Sequence, residues 1–575
     1  MENSTSEVTA VVTGVYPNKV LIEITDIESF KVAGEKLSVG SYLRISDSED
    51  CAIIAIVQSF VIQKTEEDQK RYYVVEGIPI GFIDANGKFS RGGNNIAIPP
   101  VKVTPAARTE IQSIYAKVEQ PKSFDFSSLV QDPTIRVSVD GDRFFNKHIA
   151  LVGSTGCGKS CSVATILRKA VQAKESGFQG LNNSHIVIFD LHGEYRAAFP
   201  SANYFDVENL SLPYWLMNGE ELEELLIETG ENQAYNQSSL LRRLVTQNKQ
   251  KATGNQKVLF DSPVRFNLRE ILNCILNLSR ETRDYKNPSR FLIKGQPKEF
   301  KTDEERFEYY FTKEYEFDEP KSQSVSKGTY NDGTLEKFLS RIRWKLNDER
   351  LGFLLGSEAE KMAFEDTLRS LLGYVKEKEA NLTVVDLSGI PFEVLSITVS
   401  LMSRIFVDYG YYFKRQVSDE SPRTPLLLVY EEAHKYVPKI TGAKYGASRL
   451  AIERIAKEGR KYGVTLALVT QRPSEISETI FSQCNNFVAM RLTNPDDQNY
   501  VRRLLPDTLG PLTDSLPTLE SGEAILIGDA TVMPSLVRID KSDPEPSSAD
   551  VKYLQEWKRP WYDVNFPPLI KRWEK

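Results

Sequence analysis

Hydrophobic and polar positions along this chain change rhythm several times. From residue 5 to about 104 the apolar positions come in short β-branched and aromatic runs: VTAVVTGVYPNKVLIEIT, SYLRISD, CAIIAIVQSFVIQ and RYYVVEGIPIGFID, split by Gly, Pro, Asn and Asp. Strands this short and this close predict a small β-barrel over 1–104, a module that commonly serves assembly or interaction. Residues 105–148 read as a connection, with a helix in IQSIYAKVE and a DGD turn in VSVDGDRFFNKH. From 149 the apolar runs become nearly continuous: IALVG, HIVIFDLHGEY, TVVDLSG, LLLVYEEA, VTLALVTQ, NFVAMRL and EAILIGD. Such runs suit parallel strands buried on both faces, and the helical stretches between many of them predict βαβ winding. The fold class expected is therefore α/β, in two stretches, 149–209 and 381–540. Between them, over 210–380, the strands stop. LPYWLMNGEELEELLIE, SSLLRRLVTQN, LEKFLSRIRWKL and EKMAFEDTLRSLLGYVKEK place apolar residues three and four apart, which predicts a mostly helical insertion. The last stretch, 541–575, has prolines and aromatics without a helical period and reads as an arm lying on another surface or on its own chain.

Composition narrows this only a little. With 575 residues, 41% hydrophobic and 26% charged, the chain is expected to be soluble and to hold two to four domains. No apolar run approaches the ~18 residues of a membrane helix, and MENSTSEVTAVV lacks the basic start of a secretory signal, so a cytoplasmic protein is expected. Five cysteines without CxxC spacing and four scattered histidines argue against a disulfide framework and against zinc. The net charge of −7 argues against a protein that coats DNA; any nucleic-acid contact would have to be local, in a groove or a pore.

Chemistry enters at GSTGCGKS. Gly153, Ser154, Thr155, Gly156, Cys157, Gly158, Lys159 and Ser160 match G-x-x-x-x-G-K-[ST], and Cys161 continues into a predicted helix after the strand IALV. Strand, glycine-rich loop and helix in that order form a phosphate cradle: backbone N–H groups converge and the helix N-terminus adds positive potential. Lys159 can reach the β- and γ-phosphates of ATP and Ser160 can hold Mg2+. Cys157 reads as a small filler. In LLLVYEEAH a hydrophobic strand ends in two acids, where strand ends of such sheets open onto the nucleotide crevice. Glu431 suits the Mg2+ role and Glu432 the activation of water; Glu431, one methylene longer than the common Asp, must sit back or act through a water. Asp190, ending HIVIFD, stands at the same rim and either orients water or Mg2+ or caps the next turn; His192 reads as structural.

Taken in order, LVGSTGCGKS, HIVIFDLHGEY, a helical insertion, LLLVYEEAHKYVP and IAKEGRKYGVTLALVTQRPSEI resemble the HerA branch of the HerA–FtsK superfamily of ring ATPases. The N-terminal strands sit where that family has its HAS barrel. The resemblance implies a RecA-like core, a homohexameric ring, ATP hydrolysis at subunit interfaces and translocation of double-stranded DNA through the pore. It also implies a partner effector, a NurA-like or other nuclease or a sirtuin-like protein, the latter pairings belonging to antiphage defence. By its place in EGRKYG, Arg460 is the candidate for a cation acting on a neighbour's γ-phosphate; Arg454, Lys461 and Arg449 are weaker ones. The plainer reading of Arg460 and Lys461 is that they complement a helix end before Gly463. Gln471, at the end of VTLALVT, is placed to sense the γ-phosphate of its own chain or to position water.

KYVPKITGAKYGASR follows the acidic pair with Lys435, Lys439, Lys444 and Arg449 and no acid. Repeated around a ring, such a loop would grip DNA phosphates without reading sequence; alone, it is an ordinary solvated loop. Two functions compete: a motor that moves along double-stranded DNA, and a nucleotide-gated ring scaffold that assembles and activates an effector. A GTPase reading is weak, because no [NT]-K-x-D segment is present.

Overall fold

The computed structural model describes residues 10–574 except 17, 27–29, 31–36, 49–50, 65–70, 92–101, 117, 175–179, 229–233, 376–378, 418–422, 440–445, 505–509 and 549–550. Strands β1 (Ala10–Val15), β2 (Val20–Ile24), β3 (Tyr42–Ser48), β4 (Cys51–Lys64), β5 (Arg71–Ile83), β6 (Phe89–Arg91) and β7 (Val103–Pro105) make an antiparallel sheet ordered β1-β2-β5-β4-β3-β7, with β6 on β5. Alternation drives it: Val20, Ile22 and Ile24 are buried with Leu43, Ile45 and Val75, while Leu21 and Glu23 face outward. Two register shifts between β4 and β5 bend these long strands. A single bridge, Val11 with Lys102, brings the first strand to the last. The expected barrel thus takes the form of a curled antiparallel sheet.

The second sheet holds the core. Its strands are β8 (Ser123–Leu129), β9 (Arg136–Asp140), β10 (His148–Val152), β11 (His185–Asp190) and β12 (Asn203–Phe205), then β17 (Leu382–Asp386), β18 (Leu426–Tyr430), β19 (Val464–Thr470), β20 (Cys484–Met490), β21 (Glu523–Gly528) and β22 (Ser535–Ile539). They run in the order β12-β17-β11-β18-β19-β10-β20-β21-β22-β8-β9. The first seven pair in parallel and the last four continue antiparallel. The continuous apolar runs follow from burial on both faces: in β10, Ala150 and Val152 join one hydrophobic cluster and Ile149 and Leu151 the other. The stretch 105–148, read from sequence as a connection, supplies β8 and β9 to the sheet's edge. Alternating Ser and Asp in SFDFSSL and RVSVD hid the pattern, because an antiparallel edge pair needs only one apolar face.

Helix α1 (Lys159–Gln172) follows β10. The insertion carries α2 (Gly219–Leu226), α3 (Ala234–Thr253), α4 (Leu268–Arg280) and α5 (Glu336–Asn347). It is not free of strands: β13 (Thr282–Asp284), β14 (Arg290–Phe291), β15 (Lys298–Glu299) and β16 (Val325–Lys327) form a four-stranded sheet in the order β15-β14-β13-β16. Strands of two or three residues leave no period to read. Nor is the insertion a loose appendage. Leu241, Ile271 and Phe338 belong to the same cluster as one face of the core sheet. Glu221 of α2, fully buried, binds Arg404 (2.9 Å) and Ser400 (2.8 Å) on α6 (Phe392–Gln416).

The start of the C-terminal arm packs on its own chain. Thr165 donates to Asp540 O (2.8 Å), Arg168 to Ser542 Oγ (3.0 Å), and Ser547 N to Glu194 O (2.9 Å). Beyond it, Tyr553–Trp557 and Phe566–Trp573 form short helices that bury none of their residues. Among the described residues no helix is long and apolar enough to cross a membrane.

Candidate functional site

The parallel strands β10, β11, β18 and β19 deliver their C-terminal ends to one rim of the sheet, the edge where α/β sheets hold ligands. There β10 passes into the loop 153–158. Gly156 and Gly158 adopt φ of +74° and +95°, which turns successive N–H groups inward and starts α1. Gly153 allows a close approach: a Cβ there would stand 2.6 Å from Cys157 Sγ. Cys157 is the buried filler expected, its thiol pushed up by burial and packed 3.9 Å from Met490 Sδ. The loop is pinned from both flanks. Gly153 N donates to Thr470 O (3.2 Å), Ser154 N to Arg491 O (2.7 Å), Thr493 N to Ser154 Oγ (3.1 Å) and Gly522 N to Cys157 O (3.0 Å). Lys159 bends over the loop and donates to Ser154 O (3.1 Å). Cys161 lies away from the hollow, beside Glu545 and Ser548 of the arm.

β18 ends in the two acids, and their environments push them apart. Glu431 is 4% exposed, and burial, with Asp190 and Glu194 beside it, raises its carboxyl to about 10. Glu432 takes φ 49°, ψ 46°, a left-handed conformation rare for a side chain with a Cβ, and strain of this kind collects at working sites. Burial acts to raise Glu432 as well, but His434, Lys159 and His192 outweigh it and hold the carboxyl below its ordinary range. His434 Nδ1 lies 3.2 Å from Glu432 Oε2 and 3.2 Å from Thr470 Oγ1, with hydrogen-bond geometry only toward Thr470. Gln471 joins the acids to the loop: its Nε2 donates to Glu432 Oε1 (2.9 Å) and its Oε1 accepts from Thr155 Oγ1 (2.5 Å). Of the two roles left open for Asp190, the geometry favours the cap. Fully buried, it accepts backbone N–H groups from His192, Gly193, Glu194 and Tyr195 at 2.9–3.3 Å.

Sequence reasoning overlooked Tyr195, Tyr436, His434, Arg491 and Thr493. The signal was positional, since most lie within a few residues of a strand's C-terminal end. Tyr195 OH, Tyr436 OH, Glu431 Oε2, Glu432 Oε2 and Glu194 Oε2 are buried without a hydrogen-bond partner among the described residues. Buried polar atoms in such number at one spot call for water or an ion. The oxygens of Ser160 and Glu431 fit Mg2+, a hard cation held through one or two carboxylates or hydroxyls and the phosphates themselves. A bound cation would also reverse the pressure that keeps Glu431 protonated.

Arg460 is elsewhere. It lies in the 3-10 turn Gly459–Tyr462 that follows α7 (Gly446–Glu458), ahead of Gly463 at φ +75°. It therefore stands at the opposite end of β19 from Gln471. Seven residues of strand put roughly 23 Å between them, more than a side chain spans. Arg460 and Lys461 are exposed, and neither side chain has a hydrogen-bond or ion-pair partner among the described residues. Two of the three alternatives are paired within the chain: Arg454 with Asp408 (2.9 Å) and Arg449 with Glu453 (2.8 Å). In the basic loop, Lys435 is exposed, Lys439 pairs with Glu478 (2.7 Å), and Lys444 lies outside the described residues.

The family model for the central domain of helicase HerA matches residues 124–406. A probable helicase of Methanocaldococcus jannaschii is 23% identical over 92% of this chain and 91% of its own. The DNA double-strand break repair helicase HerA of Sulfolobus acidocaldarius is 25% identical over 82% of this chain and 79% of its own. Among solved structures, VirB4 of Thermoanaerobacter pseudethanolicus is similar with a TM-score of 0.45 and 13% identity, over 76% of this chain and 99% of that one.

Proposed function

This chain belongs to the HerA family of ATPases, and on that premise we propose that it works as a homohexameric ring, burning ATP at the seams between subunits to move along double-stranded DNA. One observation carries the proposal: Arg460, exposed and unpaired among the described residues, stands too far from the phosphate loop of its own chain to serve it, as a cation meant for another subunit would.

In this reading the loop N–H groups and Lys159 bind the β- and γ-phosphates, and Gly153 to Ser160 form the cradle. Ser160 and Glu431 hold Mg2+, which when bound neutralises phosphate charge. Glu432, kept ionised beside His434, accepts a proton from the attacking water. Gln471 fixes that carboxylate relative to Thr155, so γ-phosphate occupancy at the loop is felt at the base. Arg460 of the partner subunit meets the charge that develops on the γ-phosphate; its planar fork stays charged and binds phosphate oxygens bidentately. The core is RecA-like, and the curled N-terminal sheet serves as the docking barrel for an effector, a NurA-like nuclease or a sirtuin-like protein, in DNA end processing or antiviral defence.

A second reading, a nucleotide-gated scaffold that activates its effector without processive movement, draws support from the basic loop. Two of its four cations are paired inside the chain, which leaves less charge for DNA. Measuring particle mass with and without ATP, and hydrolysis with and without duplex DNA, tests both. A hexamer whose hydrolysis rises with DNA, and loses that rise when Lys435 and Lys444 become Ala, supports the motor. A hexamer indifferent to DNA supports the scaffold, and a fully active monomer at all dilutions rejects both.

A further inference from the structure

The acids, Gln471 and Thr155 all lie on the β18–β19 side of the phosphate loop, which places the γ-phosphate there. The other side is walled by the ends of β20 and β21. Ser521 Oγ and Gly522 N stand 3.4 Å from where a Cβ on Gly158 would be. Arg491 follows β20 directly, and its carbonyl accepts Ser154 N at 2.7 Å. Two residues on, Thr493 is tied to Ser154 through its backbone N–H and approaches it again with its hydroxyl (3.2 Å). The backbone of 491–493 is therefore part of the cradle's frame.

The Arg491 side chain is half-buried. It makes no hydrogen bond and no ion pair with any described residue, whereas Arg538 holds Glu520 and Glu523, and Arg502 holds Asp514. Its charge is nonetheless near enough to bear on the Cys157 thiol inside the loop. A half-buried guanidinium left without a counter-charge costs solvation that a ligand would repay. Since the γ-phosphate end is fixed on the far side, what reaches this side is the α-phosphate and the nucleoside.

We propose that Arg491 binds the nucleoside end of ATP in the same chain, its guanidinium plane lying against the purine. Arginine suits that role because it is flat, weakly hydrated and attracted to aromatic faces, whereas a lysine keeps the charge but not the plane. The inference rests on the ATP site already proposed and adds a residue to it.

The test is calorimetric titration of the full chain with Mg-ATP, Mg-ADP and Mg-tripolyphosphate, for the natural protein and for Arg491→Ala, Arg491→Gln and Arg491→Lys. Arg491→Ala should weaken ATP and ADP by about tenfold while leaving tripolyphosphate within twofold, with Arg491→Lys closer to Ala than to the natural protein. Unchanged ATP affinity overturns the proposal. So does an equal loss for ATP and tripolyphosphate, which would make Arg491 a phosphate ligand or a prop of the loop. Should Arg491→Ala fail to fold, judged by its melting point without nucleotide, the Gln and Lys variants carry the same comparison. A natural protein that binds tripolyphosphate and ATP equally would also overturn it, whereas one that binds no nucleotide at all rejects the ATP site itself.

Discussion

The sharpest consequence of the geometry concerns how Arg460 and Lys159 must be shared. Within one chain they occupy opposite ends of the strand layer, separated along β19 by roughly 23 Å. If hydrolysis needs both, each working site takes Lys159 from one subunit and Arg460 from the next. Rings are built from heterologous contacts, so every seam pairs the two residues in the same sense. Lys159→Ala alone and Arg460→Ala alone should each abolish most turnover, the second by a factor of about 10³ to 10⁵. Mixing the two inactive proteins in equal amounts and letting subunits exchange places a natural Lys159 opposite a natural Arg460 at about one seam in four. Phosphate release should therefore return to about a quarter of the natural rate if seams act independently, and less if they must fire in concert. An Arg460→Ala protein that keeps its full rate refutes the reasoning outright. Recovery in particles shown by native mass to contain both variants establishes action across the seam, because a cation acting in its own chain could never be rescued by a neighbour.

Glu432→Gln should still bind ATP but lose about 10² to 10⁴ in turnover, measured by single-turnover hydrolysis; a loss below tenfold would remove it as the base. His148 is buried, with Nε2 at 3.0 Å from Ala456 O and Nδ1 accepting Leu466 N–H, and burial lowers its pKa to about 4. Its native state therefore refuses a proton that the unfolded chain accepts below about pH 6.5. Stability should fall as pH drops from about 6.5 to 4, by up to about 3 kcal/mol from this residue, and urea midpoints for His148→Gln should show a flatter slope over that window. Phe144 is 1% exposed and packs on Phe124, Phe126 and Phe145 beside the phosphate-loop strand. Phe144→Ala should cost about 3 to 5 kcal/mol in denaturant unfolding.

How far the sequence reveals this site depends on how local each piece is. The phosphate loop, β18 with its two acids and β19 with Gln471 are contiguous segments whose residue types answer to one local demand, and they occupy the positions expected. The bond from Gln471 to both Thr155 and Glu432 joins residues 316 and 39 positions apart, so the network was invisible although its members were not. Arg491 illustrates the remaining gap. In the sequence it is one cation after an apolar run, no different from Arg472 after β19, which is exposed and spends its charge on Glu475 at 2.7 Å. Only the three-dimensional arrangement distinguishes the paired arginine from the unpaired one. The same holds for the strands misread at 123–140, whose partner β22 lies some four hundred residues later.

Continuity of structure also suggests why the helical insertion is built into the core rather than hung from it. α7 starts at Gly446, just beyond the basic segment that follows the acids, and ends at the turn bearing Arg460. Its first turn is held at two points. Ser448 donates to Tyr436 O (2.7 Å), behind the acids, and meets Ser396 of α6 (3.0 Å). Ala447 N donates to Glu224 (3.1 Å), a residue of the insertion helix α2, whose neighbour Glu221 grips Arg404. A rigid helix of thirteen residues, about 20 Å long, thus has one end against the acids and the insertion and the other at the turn bearing Arg460. A shift of the acid-bearing segment on hydrolysis cannot displace that first turn without loading α2, and cannot leave it in place without breaking the Ser448 bond. The insertion is in this sense the abutment against which α7 is set. That explains why α2 puts one acid, Glu221, into a fully buried position and a second, Glu224, into a partly buried one, where a mere docking surface would place apolar side chains.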